Sequence, residues 1–247
     1  MIPPQLGYPL ALFIGLALGL LGGGGSILAV PVLHYIMGFP VKEAVPMSLV
    51  VVGFTSGLGA LTHWRAGTVN LRTALAFGPP AIVGALLGAE LGLRATPRLQ
   101  LTVFAVVMLL AAVSMLFGPV TPAEHPPRKP IPLITLIGGL VGVLTGFVGV
   151  GGGFLYVPAL ELLGGLPIKQ AVGTSLLLIV ISCIAGVARY HGSLDLDWPV
   201  IGLFTLIALL GVQLGARLGR RLSQASLRHG FGVLILLMGA LVLFKGR

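Results

Sequence analysis

Gly19–Leu33 reads GLLGGGGSILAVPVL, and Gly146–Leu160 reads GFVGVGGGFLYVPAL. Pro31 and Pro158 stand 127 positions apart. At that spacing Gly38 meets Gly165, Pro40 meets Pro167, Lys42 meets Lys169, and Ser48-Leu49 meets Ser175-Leu176. A two-residue slip near Arg65 sets Gly67 against Gly192, after which Gly84, Gly88 and Gly92 face Gly211, Gly215 and Gly219. An apolar chain matches Leu with Val by chance; it does not repeat Gly, Pro, Lys and Ser at fixed spacing. The chain therefore reads as a duplication. Residues 1–121 form one half, residues 131–247 the other, and the Pro-rich polar segment Pro122–Pro130 (PAEHPPRKP) links them.

Around these blocks the sequence is apolar. Of its 247 residues 56% are hydrophobic and only 9% charged, with a mean hydropathy of +1.08. A soluble domain carries about 25% charged residues, so lipid must solvate most of this chain's exterior. Eight apolar stretches follow one another: Leu10–Met37, Ala44–Thr62, Leu71–Leu93, Leu99–Gly118, Leu133–Leu163, Ala171–Ala188, Leu196–Gly219 and Gly230–Phe244. Most approach the roughly 20 residues a helix needs to cross a bilayer, and none shows the strict alternation of a barrel strand. The fold class is an all-α polytopic membrane protein of two pseudo-symmetric four-segment repeats. Nothing outside these runs is long enough for a soluble domain.

The formal charge of +9 would suggest nucleic acid in a soluble protein. Here the bases fall in turns, where they orient helices against the cytoplasmic face, and no nucleic-acid partner is expected. Cys183 is a single cysteine, so no internal disulfide forms, and the position suits a small packed residue. The N-terminal MIPPQLGYPL has neither a basic region nor a cleavage signal and is read as retained.

The first segment of each half is unusual. Leu10–Leu21 would form roughly 18 Å of helix and reach only the middle of the membrane before Gly22–Gly25 interrupt it. Gly149 and Gly151–Gly153 do the same in the second half. Each glycine weakens a helix by roughly 1 kcal/mol relative to Ala, and backbone groups freed by a break must face protein or water rather than lipid. Interrupted segments at matching places in two halves mark the binding site of a transporter. If they cross the membrane, the halves are parallel and the loop bases divide 8 to 7. If they turn back, the halves are inverted. With the N-terminus outside, nine bases (Arg65, Arg72, Arg128, Lys129, Lys169, Arg217, Arg220, Arg221 and Arg228) then lie on the cytoplasmic side against six. The count leans toward inverted repeats.

The unit G-x-x-G-x-G-G followed by a proline, then A-V-G-T-S-L at Ala171–Leu176, then G-x-L-D at Gly192–Asp195, resembles the sulfite exporter TauE/SafE family, also called the 4-toluene sulfonate uptake permease family. The resemblance covers nearly the whole chain. The first half departs from it, with Pro46-Met47-Ser48 where the second has Gly173-Thr174-Ser175, so only Ser48 carries over there. The resemblance implies transport of a small sulfur-containing anion, sulfite or an organosulfonate, across the cytoplasmic membrane of a prokaryote.

The candidate substrate-binding residues are Gly24, Gly25, Ser26, Ser48, Gly151, Gly152, Gly153, Thr174 and Ser175. N–H groups at Ser26, Ile27, Gly153 and Phe154 would point at the anion from helix N-termini, where orphan donors and the macrodipole favour negative charge. The serines and threonine serve equally as ordinary N-caps. For Gly84, Gly88, Gly211 and Gly215 tight small-residue packing is the preferred reading. His34, Glu90 and Glu161 are candidates for coupling to protons, since intramembrane charge is costly. His34 is equivalent to Glu161, and Glu90 to Arg217, so each pair would meet across a common axis or serve structure alone. Arg65 and Arg189 are candidate vestibule charges or plain topology charges.

No enzyme is expected. The sequence has no HExxH, no GxSxG and no clustered carboxylates. His63 and His125 fall in different turns with no partner close in sequence, and no cofactor or metal is implied. With no ATP-binding motif, energy would come from an ion or substrate gradient, or from a partner subunit. An anion channel using the same helix ends, and a membrane scaffold or assembly factor without a solute, are the competing readings; a cation carrier fits poorly with so few carboxylates.

Overall fold

A computed structural model describes residues 7–118, 130–148, 153–189 and 196–245. These residues form ten α-helices and, among them, no strand. The first half comprises α1 (Gly7–Leu21), α2 (Ser26–Pro31), α3 (Val41–Arg65), α4 (Leu71–Arg94) and α5 (Pro97–Phe117). The second comprises α6 (Ile131–Val148), α7 (Gly153–Pro158), α8 (Ile168–Arg189), α9 (Trp198–Arg221) and α10 (Gln224–Lys245). Local chemistry sets the starts. Asn70 Oδ1 accepts from Thr73 N–H before α4, Thr96 caps α5 ahead of Pro97, and Asp197 accepts from Val200 N–H to open α9.

The stretches Glu43–Arg65, Leu71–Gly88, Ile168–Val187 and Trp198–Gly219 are long and apolar enough to cross a membrane; Gly7–Leu21, Ala105–Phe117, Ile131–Phe147 and Ala225–Leu237 are shorter apolar helices. Large apolar side chains stand exposed along the helix exteriors, Leu75, Leu86, Leu110 and Leu206 among them. Lipid is the solvent that such a surface requires.

The first apolar run is a hairpin. After α1, Gly22 takes φ 76 and ψ −112, a conformation an L side chain rarely adopts. A 3₁₀ turn over Gly23–Gly25, α2, and a π-helical turn over Val32–Ile36 then carry the chain back along α1. A Cβ on Gly25 would meet the carbonyl of Ile14 and lie 2.9 Å from Leu18 N. In a straight helix residues 14 and 25 would be roughly 16 Å apart. Gly7, at the start of α1, abuts the side chain of Met37, at the end of the returning strand of helix. The chain thus returns to the end of the bundle at which α1 begins. In the second half α6 lines a groove with Leu155, Pro158 and Leu162 of the α7 segment, which likewise lies beside it.

Several features recur 127 residues apart. Pro31 and Pro158 each remove a helix donor, and each is followed by a π-helical turn, Val32–Ile36 or Ala159–Leu163. Gly38 (φ 83) and Gly165 (φ 72) then reverse the chain ahead of α3 and α8. The pairs α3 and α8, α4 and α9, and α5 and α10 begin at the same spacing.

The halves interlock through their glycines. α6 packs along α4 with Gly138, Gly142 and Gly146 on the backbone of Phe77, Ala81 and Ala85. α1 packs along α9 in the same way, with Gly15 and Gly19 on the backbone of Ala208 and Val212. Gly84, Gly88, Gly211 and Gly215 return these contacts, as small-residue packing predicts. Each hairpin is therefore held by the other half.

Candidate substrate site

The two helix returns meet. A Cβ on Gly22 would lie 2.8 Å from Ser175 Oγ, 3.0 Å from Val157 and 3.2 Å from the Cα of Val172. A Cβ on Gly153 would lie 2.8 Å from Ser26 Oγ. The first break is thus seated against α7 and α8, and the start of α7 faces the start of α2. Two helix N-termini, one from each half, converge on a junction that only glycine backbone leaves open.

Within this junction the donors differ from those the sequence suggests. Ser26 N–H bonds to Gly23 O, and Ser26 Oγ donates to the same carbonyl at 2.6 Å. The helix instead opens at Gly23, so the N–H groups of Gly23 and Gly24 head it and have no carbonyl within it to bond. The correction is a shift of about one turn toward the break. Ser175 Oγ donates to Val172 O at 2.8 Å and Ser48 Oγ to Val45 O at 2.6 Å. Rotation about one bond would free either hydroxyl. Thr174 is buried, but its Oγ1 accepts from Asn70 N–H at 2.9 Å and so fastens the α3–α4 turn to α8. Gly151 and Gly152 lie outside the described residues, as do Gly149 and most of the linker.

The charged pairs suggested by the repeat do not form. Glu161 forms an ion pair not with His34 but with Arg228, whose Nε is 3.0 Å from Glu161 Oε1, and both side chains are 1% exposed. Arg228 also donates to Gly118 O and Ser114 O, each at 2.8 Å, and so ties the α7 segment to the end of α5. His34 Nδ1–H donates to Phe39 O at 2.8 Å within its own hairpin. Glu90 pairs with Arg94 one turn on, at the surface, and Arg217 is exposed on α9. Matching positions in a repeat need not touch: His34 and Glu90 find partners on their own hairpin or helix, and Glu161 finds one on α10. Arg65 is exposed at the end of α3, and the side chain of Arg189 lies outside the description. His63 does have a near partner, Thr68 Oγ1 at 2.8 Å.

Sequence reasoning missed Arg228. One signal was available. Arg228 stands between Leu227 and the buried Phe231 and Ile235, a turn into α10, where a plain turn charge would not be.

Helical hairpins, one from each half, that meet inside a bundle with an apolar exterior fit a polytopic membrane protein of the transporter class. The chain belongs to the sulfite exporter TauE/SafE family, whose description it matches over residues 8–242. It is similar to a probable membrane transporter protein of Xylella fastidiosa (strain 9a5c), 32% identical over 94% of this chain and 92% of that protein. Probable membrane transporter proteins YdhB and YunE of Bacillus subtilis (strain 168) are 26% and 25% identical, with 94% and 96% of this chain aligned to 96% of each.

Proposed function

We propose that this protein is a secondary transporter of a small sulfur-containing anion, sulfite or an organosulfonate, in the cytoplasmic membrane of a prokaryote. The junction of Gly22–Gly25, Ser26, Gly153 and Ser175 carries the reading. Two helix N-termini there present orphan N–H groups and positive dipole ends to one point, deep in a protein with few carboxylates. A tetrahedral or pyramidal oxyanion takes several such donors at once. The sulfur chemistry comes from family membership and the negative charge from the site.

The halves act as inverted repeats in this reading. α1 leaves and returns on one side, and three spans follow before the linker, so the second half starts from the opposite face. Rocking one hairpin-bearing bundle against the other would expose the junction to each side in turn. The end of the molecule that gathers the α3–α4 turn, the start of α8 and the α9–α10 turn carries Arg65, Arg72, Lys169, Arg217 and Arg221, which supports reading it as the cytoplasmic end. Of the three candidates for proton coupling, Glu161 is the enclosed one, and its Oε2 has no hydrogen-bond partner among the described residues. That oxygen is where a coupled proton would reside.

The test is flux into proteoliposomes of purified protein, with sulfite, thiosulfate, sulfate and simple sulfonates, alongside thermal shifts with the same anions. Saturable flux with counter-transport of a sulfur anion is expected. Ohmic, voltage-driven current would make the protein an anion channel, and neither flux nor stabilisation would end the transport reading. Flux indifferent to collapse of the proton gradient would remove the role given to Glu161.

A further inference from the structure

The two helix returns are not held alike. Tyr156, on α7 one turn after Gly153, is buried, and its hydroxyl lies 2.9 Å from Ser182 Oγ on α8. Its ring stands edge-on to Phe77 of α4, with centroids 5.6 Å apart and planes at 86°. A turn back toward the junction, a Cβ on Gly153 would lie 3.0 Å from Ile179, three residues before Ser182 on α8. Two successive turns of α7 are thus laid against α8, and a hydrogen bond fastens one of them. On the other side of residues 149–152, Gln100 Nε2 donates to Phe147 O at 2.9 Å and so caps the end of α6 from α5.

The first half keeps the frame and lacks these ties. At the spacing of 127, Tyr156 corresponds to Ala29, Ser182 to Thr55 and Gln100 to Leu227. Ala29 is fully buried and carries no polar group. Thr55 Oγ1 turns its hydrogen into its own helix, 2.7 Å from Val51 O and 3.1 Å from Val52 O. Leu227 has no donor for the carbonyl of Leu20, which stands where Phe147 does. Phe204 answers Phe77 and is likewise buried, so the apolar surroundings repeat while the hydrogen bonds do not. A satisfied buried hydrogen bond selects one arrangement of the elements it joins, whereas apolar contact is non-directional.

We propose that Tyr156 is a positioning residue for the anion junction. Through Ser182 it fixes the end of α7 that faces Ser26, so the second half offers its donors already in place. A wall that is ordered before binding spares the ligand the cost of ordering it. The inference rests on the transport reading for what the junction binds, and on these contacts alone for α7 being fixed.

The test removes one oxygen. Tyr156→Phe keeps the ring on Phe77 and lets the Ser182 hydroxyl turn to a carbonyl of its own helix, as Thr55 does, so the melting temperature should stay near the parental one. Amide hydrogen exchange over Gly153–Pro158 should speed by about fivefold, the weight of one ordinary hydrogen bond, while exchange over Ser26–Pro31 stays as it was. In proteoliposomes the KM for sulfite should rise about fivefold with the maximal rate kept, because the loosened helix end must now be ordered on binding. Ser182→Ala should match Tyr156→Phe, and Ser182→Thr should retain the parental values. Thr55→Val, which removes the corresponding hydroxyl of the first half, should change neither exchange over Ser26–Pro31 nor KM. Unchanged exchange over Gly153–Pro158, exchange raised equally in both hairpins, or faster exchange with an unchanged KM would overturn the positioning role. Faster exchange in α7 alone, in a protein that carries no sulfur anion, would uphold the fixing of α7 and refute the proposed substrate.

Discussion

Ser175 Oγ stands 2.8 Å from the point at which a side chain on Gly22 would begin. The hydroxyl of one half closes on the backbone of the other, and Gly22 has both no room and the wrong φ for any other residue. Gly22→Ala should lower thermal stability by about 1–2 kcal/mol from the left-handed backbone alone, with crowding added, and should abolish flux. Ser175→Gly in the same chain should recover only the crowding part. A double-mutant cycle on detergent-solubilised protein measures that share.

Gly153 gives the opposite case. Its Cβ would meet the Ser26 hydroxyl and Ile179 side-chain carbons, all able to turn aside, and its backbone is helical. Gly153→Ala should therefore fold with a melting temperature close to that of the parent. Its thermal shift with sulfite should weaken, with apparent affinity down about tenfold if the added methyl displaces one good donor contact. An unchanged shift would mean that the junction is packing and not a site.

The Glu161–Arg228 pair is closed off from solvent, and removing one partner of such a pair costs about 3–5 kcal/mol. Arg228→Met should be severe, since it also leaves Ser114 O and Gly118 O without their donor. Glu161→Gln should be milder. The double variant Glu161→Gln with Arg228→Met should be less damaged than the sum of the two, which chemical denaturation of each variant checks.

How much of this was legible beforehand follows from the kind of force involved. The membrane class, the paired breaks and the packing role of Gly84, Gly88, Gly211 and Gly215 are written in composition and spacing, because lipid and close backbone contact tolerate few residue types. The turning back of α1 was legible only as a small excess of bases on one side, and Gly25 against Ile14 decides it. The charge pairs were not legible. Arg228 reaches Glu161 across two elements that sequence spacing does not relate, and Thr174 looks like a cap until Asn70 is seen beside it.

Packing of α4 on α6 offers a contrast between two glycines of similar setting in sequence. A Cβ on Gly142 would strike the carbonyl oxygen of Ala81 and sit 2.8 Å from its Cα, whereas one on Gly202 would meet nothing within 4 Å. Gly142→Leu should cost at least about 3 kcal/mol, the upper range of overpacking, and the protein should fail to accumulate. Gly202→Ala should stay within about 1 kcal/mol of the parent. Yield and monodispersity on size-exclusion chromatography separate the two.

The last prediction concerns the bond from Asn70 N–H to Thr174 Oγ1, 2.9 Å long. Thr174→Val keeps the shape and removes the acceptor, leaving a half-buried amide without its partner at about 1 kcal/mol. The α3–α4 turn keeps its own bonds, Gly67 N–H to Trp64 O and Thr68 N–H to His63 O, each 3.0 Å, so the loss falls on its attachment to α8 and not on its form. Gly173 lies in the same contact, since a Cβ there would be 2.8 Å from Thr68 O, and Gly173→Ala should push the turn away as well. Both variants should speed amide hydrogen exchange across residues 66–70, by about tenfold for each 1.4 kcal/mol lost. Thr174→Ser should restore the parental rate. If Thr174 instead binds the anion, Thr174→Val should lower affinity and leave the exchange rate where it was.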